Sequence, residues 1–224
     1  MITHKFEFPY IYRKNINGTR HYVLPNGSVV PSVTSILSKT KSERDKQSLE
    51  NWRIREGKER AAQITEEAAS RGTSMHGYIE EFITKDTMTL DETSQQSYKM
   101  ATVIKENAFH ENCEYYAVEA YLYCDGLYSG ATDLIYSDNG KLTIGDFKQA
   151  NKPKRTEWIT DYFLQVAAYK ICFEEMYGEK IEQAKIMMCS VDLQYQEWVL
   201  NSEELDRYEK MFADRLELYY RNEG

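Results

Sequence analysis

At 224 residues, with 42% hydrophobic and 29% charged side chains and a formal charge of −8, the chain is sized for one substantial core and is too acidic for a basic nucleic-acid coat. Its four cysteines, Cys113, Cys124, Cys172 and Cys189, form no Cys-x-x-Cys pair and have no histidines at metal spacing, which excludes a zinc knuckle and a disulfide framework and fits a reduced cytoplasm. The start, Met1 to Glu7, has neither the apolar stretch of a signal peptide nor an arginine-rich transit pattern, and no apolar run of about 18 residues follows. A cytoplasmic, membrane-free protein is expected. The acidity is unevenly spread: residues 1–60 carry twelve Lys/Arg against six Asp/Glu, so a basic lobe sits on an acidic body and can steer a polyanion to one face. A solvated helix face laced with ion pairs is the other reading of the same charges.

In chain order, Tyr10–Tyr12, His21–Leu24 and Val29–Val30, with Asn17-Gly18 and Asn26-Gly27 between them, predict a small β-meander over residues 1–30. A helical lobe over 31–113 follows. It begins at Pro31-Ser32-Val33, runs helical from Glu43 to Ala69, breaks at Arg71-Gly72-Thr73, and resumes with Thr73 as cap and Met75, Tyr78, Ile79, Phe82 and Ile83 inward. Asp91 to Asn112 reads as a further helix. Residues 114–200 form the core: strands Tyr115–Tyr123, Leu127–Tyr136 and Lys141–Phe147 as an antiparallel meander, an apolar helix from Glu157 to Tyr177, then strands Gln183–Val191 and Gln194–Leu200. Ser202, with Glu203 and Glu204 in the first turn, starts a final helix over 201–224. One domain is expected, since no repeat or Pro/Gly linker divides the chain.

Chemistry concentrates at Asp133, Asp146 and Lys148. Side chains two apart share a strand face, so Asp146 and Lys148 converge at the end of an apolar stripe formed by Leu142 and Ile144. Buried acids and lysines are rare unless paired or metal-bound, and a strand-end salt bridge is the plain alternative. The sequence holds a decoy, Glu56-Gly57-Lys58, in a polar helical stretch where that spacing does not share a face. Asp133 lies on the preceding strand after Gly130, where a missing side chain permits close approach. Two carboxylates at one site repel without a cation; Mg²⁺ is the natural one and Mn²⁺ should substitute. His76 and Glu80 share a helix face one turn apart, as do Gln165 and Tyr169. Trp52, Arg53 and Arg55 offer base stacking and phosphate contacts on a wall formed by residues 31–70; packing of Trp52 onto the core is the competing reading.

Together Arg71-Gly72-Thr73-Ser74-Met75-His76, Gly130-x-x-Asp133, Asp146-Phe147-Lys148 and Gln165-x-x-x-Tyr169 resemble the RecB-like branch of the PD-(D/E)XK nucleases. Pro31–Leu37 and Trp52-Arg53-x-Arg55 extend the similarity to phage exonucleases and the mitochondrial genome maintenance exonuclease. The resemblance implies an α/β fold, a restriction-endonuclease-like core of mixed sheet flanked by helices, and metal-dependent DNA cleavage, with single-stranded or free ends as substrate. It further implies His76, Asp133, Asp146 and the Phe147 carbonyl as metal ligands, with Glu80 as a further candidate. Lys148 would then activate or orient water. Gln165 and Tyr169 would position the scissile strand, with Arg71 and Thr73 as further nucleic-acid contacts. Thr132 stands where the family pattern nominally has proline, and the cysteines do not fit the iron–sulfur relatives, so no such cluster is expected. A non-catalytic DNA-binding scaffold and a duplex endonuclease are the alternatives.

Overall fold

The first turn already follows its local chemistry. In the computed structural model, which describes residues 1–223, β1 (Tyr12–Ile16) and β2 (Thr19–Val23) pair across Asn17-Gly18. Both turn residues have the positive φ, 50° and 76°, that a two-residue hairpin requires. β3 (Val29–Pro31) joins β2, and Ile11, Tyr22, Leu24 and Val30 close a small core beneath the meander. Ser32 then caps α1 (Val33–Lys39) by accepting from the Ser35 N–H.

The helical lobe departs from expectation in two places. α2 (Glu43–Glu56) ends at Gly57, whose φ of 82° is a conformation that L residues rarely adopt, so the stretch read as continuous from Glu43 to Ala69 is two helices. α3 (Lys58–Lys85) then runs 28 residues straight through Arg71-Gly72-Thr73, so no break lies there and Thr73 caps nothing. Gly72 serves a different purpose: a Cβ would meet the Gln149 side chain at 3.3 Å, and its absence lets α3 lie close to the sheet. α4 (Gln95–Ala108), entered by a 3₁₀ turn at Glu92–Ser94, is shorter than the expected Asp91–Asn112.

The main sheet has the order β4 (Cys113–Cys124), β5 (Tyr128–Asp138), β6 (Lys141–Ala150), β7 (Gln183–Ser190), β8 (Tyr195–Asn201). All neighbours are antiparallel except β6 and β7, which run parallel because α5 (Thr160–Tyr177) crosses between them. Alternation along β6 sends Leu142 and Ile144 to one face and Phe147 to the other. On the first face they meet α5, α1 and α6 (Ser202–Glu223); on the second, Phe147 joins Leu134, Tyr136 and Met187 against α3 and α4. Phe163, Leu164, Val166 and Phe173 of α5 are each at most 2% exposed, and full burial of such side chains stabilises by about 1.5–3 kcal/mol apiece. Helices therefore cover both faces of a mixed five-stranded sheet, the restriction-endonuclease-like α/β arrangement. No helix among the described residues is long and apolar enough to cross a membrane.

Candidate active site

The site opens where β5 and β6 part. Their ladder ends at the Leu134–Gly145 pair, and the next residues on the two strands are Asp133 and Asp146. Freed from pairing, the Phe147 N–H donates to Asp133 Oδ2 at 2.7 Å. Asp146 is fully buried, and Lys148, one residue beyond Phe147 on the same strand face, brings Nζ to 2.5 Å from Asp146 Oδ2. Oδ2 is therefore held by an ion pair with the ammonium. Burial alone pulls the lysine pKa down, yet Asp146 and Asp133 outweigh it and raise it, so Lys148 is an ammonium. Its Nζ also lies 4.9 Å from the centre of the Tyr162 ring. The apolar stripe therefore does end in a buried acid–lysine pair, as the strand pattern implies.

His76 reaches this point from α3. Its Nε2 is 2.9 Å from the Phe147 carbonyl oxygen and its Nδ1 is 3.6 Å from Asp133 Oδ1. Burial pushes the imidazole pKa down, but the Asp133 charge and a contact with Glu119 raise it overall. Burial and the Asp146 charge lift Asp133 to about 6 against the pull of His76 and Lys148. Glu119 is the residue that sequence reasoning missed. Val118 pairs with Leu134 and Ala120 with Thr132, which sets Glu119 across from Asp133, with a φ of 48° marking the local distortion of the ladder. Like charges so placed destabilise a sheet unless a cation lies between them. The tight Cys124-Asp125-Gly126-Leu127 turn carried the signal, since counting back from the Cys124–Tyr128 pair leads to 119 opposite 133.

Ligand atoms of His76, Glu119 and Asp133 lie within 4.8 Å of one another. They line a cavity of about 10 Å³, room for a single ion or water. Glu80 borders the cavity, but its carboxylate is not among the grouped ligand atoms, so Glu119 takes the place expected for it. The donors suit a hard divalent ion: carboxylate oxygens of Glu119 and Asp133 and an imidazole, with the Phe147 carbonyl beside them.

From α5, Gln165 ties the parts together. Its Nε2 donates to Asp146 Oδ1 at 3.1 Å and to the Tyr169 hydroxyl at 3.3 Å, while its Oε1 accepts from Lys148 at 3.4 Å. Tyr169 is 3% exposed, and burial holds its hydroxyl pKa well above the ordinary value, so it stays a donor. The ring fits only because residue 130 is glycine: a Cβ there would lie 2.6 Å from Tyr169 Cε1.

The remaining expected residues sit further out. Arg71 donates from Nε to Gln149 at 2.9 Å and reaches Asn151, at the end of β6; Thr73 is exposed on α3. Trp52 and Arg55 line a cleft of roughly 1400 Å³ between α2 and the approach to α5, whose far wall includes Lys154 and Trp158. Arg53 faces away, into a groove between α2 and α3, and pairs with Glu50 at 3.7 Å.

Carboxylates, a lysine and an imidazole gathered where two strands part, on a mixed sheet with helices on both faces, define the restriction-endonuclease-like nucleases as a class. The chain belongs to the PD-(D/E)XK nuclease superfamily, whose model matches residues 46–222. No curated protein matches it. Among solved structures it is similar to SSO0001, at 17% identity and TM-score 0.43 over 84% of this chain and 76% of that one. It is likewise similar to a candidate exonuclease from Eubacterium rectale, at 16% identity and TM-score 0.41, covering 70% and 68%. The alkaline exonuclease LHK-Exo of Laribacter hongkongensis follows at 14% and 0.31, covering 69% and 91%.

Proposed function

We propose that this nuclease is a Mg²⁺-dependent DNA exonuclease acting on single-stranded or free ends, with Mn²⁺ able to substitute. The observation that carries the reading is the ion-sized cavity lined by His76, Glu119 and Asp133, with the buried Asp146–Lys148 pair on the adjoining strand. Asp133, Asp146, the Phe147 carbonyl and His76 would hold the metal, with Glu119 as an added ligand. The ion supplies a bound water of lowered pKa and neutralises phosphate charge. The chain's own groups do the rest. Lys148, held protonated, donates to the attacking water or to a phosphoryl oxygen where negative charge grows. Gln165 keeps Lys148 and Asp146 in register, and the Tyr169 hydroxyl is a fixed donor toward the scissile strand. Support for a single strand comes from the cleft, where Trp52 and a 62%-exposed Trp158 face the same space, with Arg155 stacked 5.2 Å from the latter ring. Base stacking on such rings contributes about 1–3 kcal/mol per base.

The test is cleavage of labelled single-stranded DNA with Mg²⁺ or EDTA, on linear and closed-circular substrates. Products only with metal, and only from the linear strand, are expected. Asp146→Ala and Lys148→Ala should abolish cleavage while DNA binding stays measurable; full activity in either variant removes the assignment. Metal-independent binding without products would identify a scaffold, and cutting of the closed circle an endonuclease.

A further inference from the structure

Among the described residues, three side chains contact the Lys148 ammonium, and two of them also serve other partners. Asp146 Oδ2 lies 2.5 Å from Nζ, but Asp146 is also one of the carboxylates that the proposed reading gives to the metal, and an ion on either of its oxygens takes up charge that now binds the lysine. Gln165 Oε1 accepts from Nζ at the long distance of 3.4 Å, while the other end of the same amide is committed to Asp146 Oδ1 and the Tyr169 hydroxyl. The third contact is the ring of Tyr162, whose centre lies 4.9 Å from Nζ. An aromatic face attracts an ammonium within about 6 Å, and its carbons are no ligands for a hard divalent ion, so this contact persists when the carboxylate is shared.

Helix periodicity places Tyr162 for this task. It stands one turn before Gln165 and two turns before Tyr169 on α5, so one helix face carries all three side chains. Packing against the α5 side of the core leaves the ring half-buried, and the Lys148 side chain is 18% exposed, so water screens their attraction only in part. Burial raises the Tyr162 pKa against the pull of Lys148, which keeps the hydroxyl protonated and the contact one between a cation and a neutral ring. The neighbouring carboxylate, Asp161, is engaged by Arg215 at 3.1 Å and is not a rival for the lysine.

We propose that Tyr162 is a positioning residue of the nuclease centre, its ring keeping the Lys148 ammonium in place while Asp146 is shared with the metal. The inference rests on the nuclease reading above. Its first test needs no cleavage and no variant of Tyr162. In NMR spectra recorded in EDTA, the Lys148 Cε protons, assigned by their absence in Lys148→Ala, should be shifted upfield by the Tyr162 ring current, and should stay so in excess Mg²⁺. Tyr162→Leu should return them to the ordinary lysine position, and Tyr162→Phe should not. Single-turnover cleavage at saturating enzyme should be about 5–30-fold slower in Tyr162→Leu, the range that a partly desolvated cation–π contact spans, and Tyr162→Phe should restore it to within about twofold. Oligonucleotide affinity in EDTA and the melting temperature should be alike in all three proteins. A purely packing role would instead lower the melting temperature and leave the rate of the folded variant unchanged. An ordinary Lys148 shift in the parent, an upfield shift that Mg²⁺ abolishes, a Tyr162→Phe variant as slow as Tyr162→Leu, or cleavage by Tyr162→Leu within about twofold of the parent overturns the positioning role. A parent that shows the upfield shift but cleaves nothing in Mg²⁺ or Mn²⁺ overturns the nuclease reading instead.

Discussion

Gly130→Ala isolates how the two strands and α5 are fitted around the centre. The new Cβ would lie 2.6 Å from Tyr169 Cε1, 2.9 Å from its hydroxyl oxygen and 3.1 Å from Cζ, against an unstrained contact of about 3.5–4.0 Å. The ring must therefore move by about 1 Å, and it has little room, being 3% exposed. Overpacking of this kind costs about 1–3 kcal/mol, offset by about 0.4–1 kcal/mol because alanine restricts the unfolded chain more than glycine does. A net loss of about 1–2 kcal/mol is expected by urea denaturation. Activity should fall further than stability. Tyr169 is bound through Gln165 to Asp146, and a displacement of about 1 Å in positioning groups can cost roughly 100-fold in rate. Single-turnover cleavage of an end-labelled oligonucleotide, under conditions where the variant is fully folded, measures this directly. Adding Tyr169→Ala supplies the control: with the ring gone, the extra methyl should cost nothing, giving a coupling energy of at least about 1 kcal/mol. Independence of the two substitutions within about 0.3–0.5 kcal/mol, or near-normal cleavage by Gly130→Ala, would refute the reasoning.

Without metal, stability should fall as pH rises from about 4 to 6, because folded Asp133 keeps a proton that the unfolded chain has released. His76 extends the trend: its raised pKa contributes stability that is complete below its unfolded value and lost as pH passes its folded one. Melting curves in EDTA should show the decline, Asp133→Asn should flatten the lower part, and excess Mg²⁺ should suppress it. Glu119→Gln should weaken Mn²⁺ binding in calorimetry by about 10-fold or more, while Glu80→Gln should leave it within twofold, reversing the ranking that helix spacing suggests. Thr132→Val should be neutral or stabilising in urea by up to about 1–3 kcal/mol, because the Thr132 hydroxyl is buried without a partner. A loss of more than about 1 kcal/mol would show that the hydroxyl is satisfied.

The β-elements were legible because period-two alternation, Asn-Gly turns and the Asp-x-Lys face are all local. Leu142, Ile144, Asp146 and Lys148 read correctly as one stripe, and Gly130 as a point of close approach, although only the structure shows that Tyr169 is what approaches. Helix breaks were not legible. Gly57 and Gly72 look alike in sequence, but one adopts a left-handed conformation and the other faces Gln149 across a packed interface, a tertiary fact. Glu80 was read as a candidate and Glu119 passed unread for a similar reason. An i, i+4 relation is visible on a line of letters, whereas a carboxylate facing another across a hairpin emerges only when the register is counted back from the turn. That Arg53 faces a different groove from Trp52 and Arg55 was not legible either, because α2 buries no side chain that would fix its rotation.

That exposure of α2 bears on how a strand reaches the cleft. The helix has no buried residue, whereas α5 has nine, and an isolated helix of 14 residues is marginal in water. One wall of the cleft is thus anchored deep in the core, while the other is a solvated helix with no buried side chain, the kind of element drawn from the low-stability end of a fold. On the proposed reading, a strand that ordered α2 would spend part of its contact energy on that ordering, which favours quick release over tight retention. On that reading, a soft wall beside a rigid centre would let a polymer side-step into place rather than thread through a fixed hole.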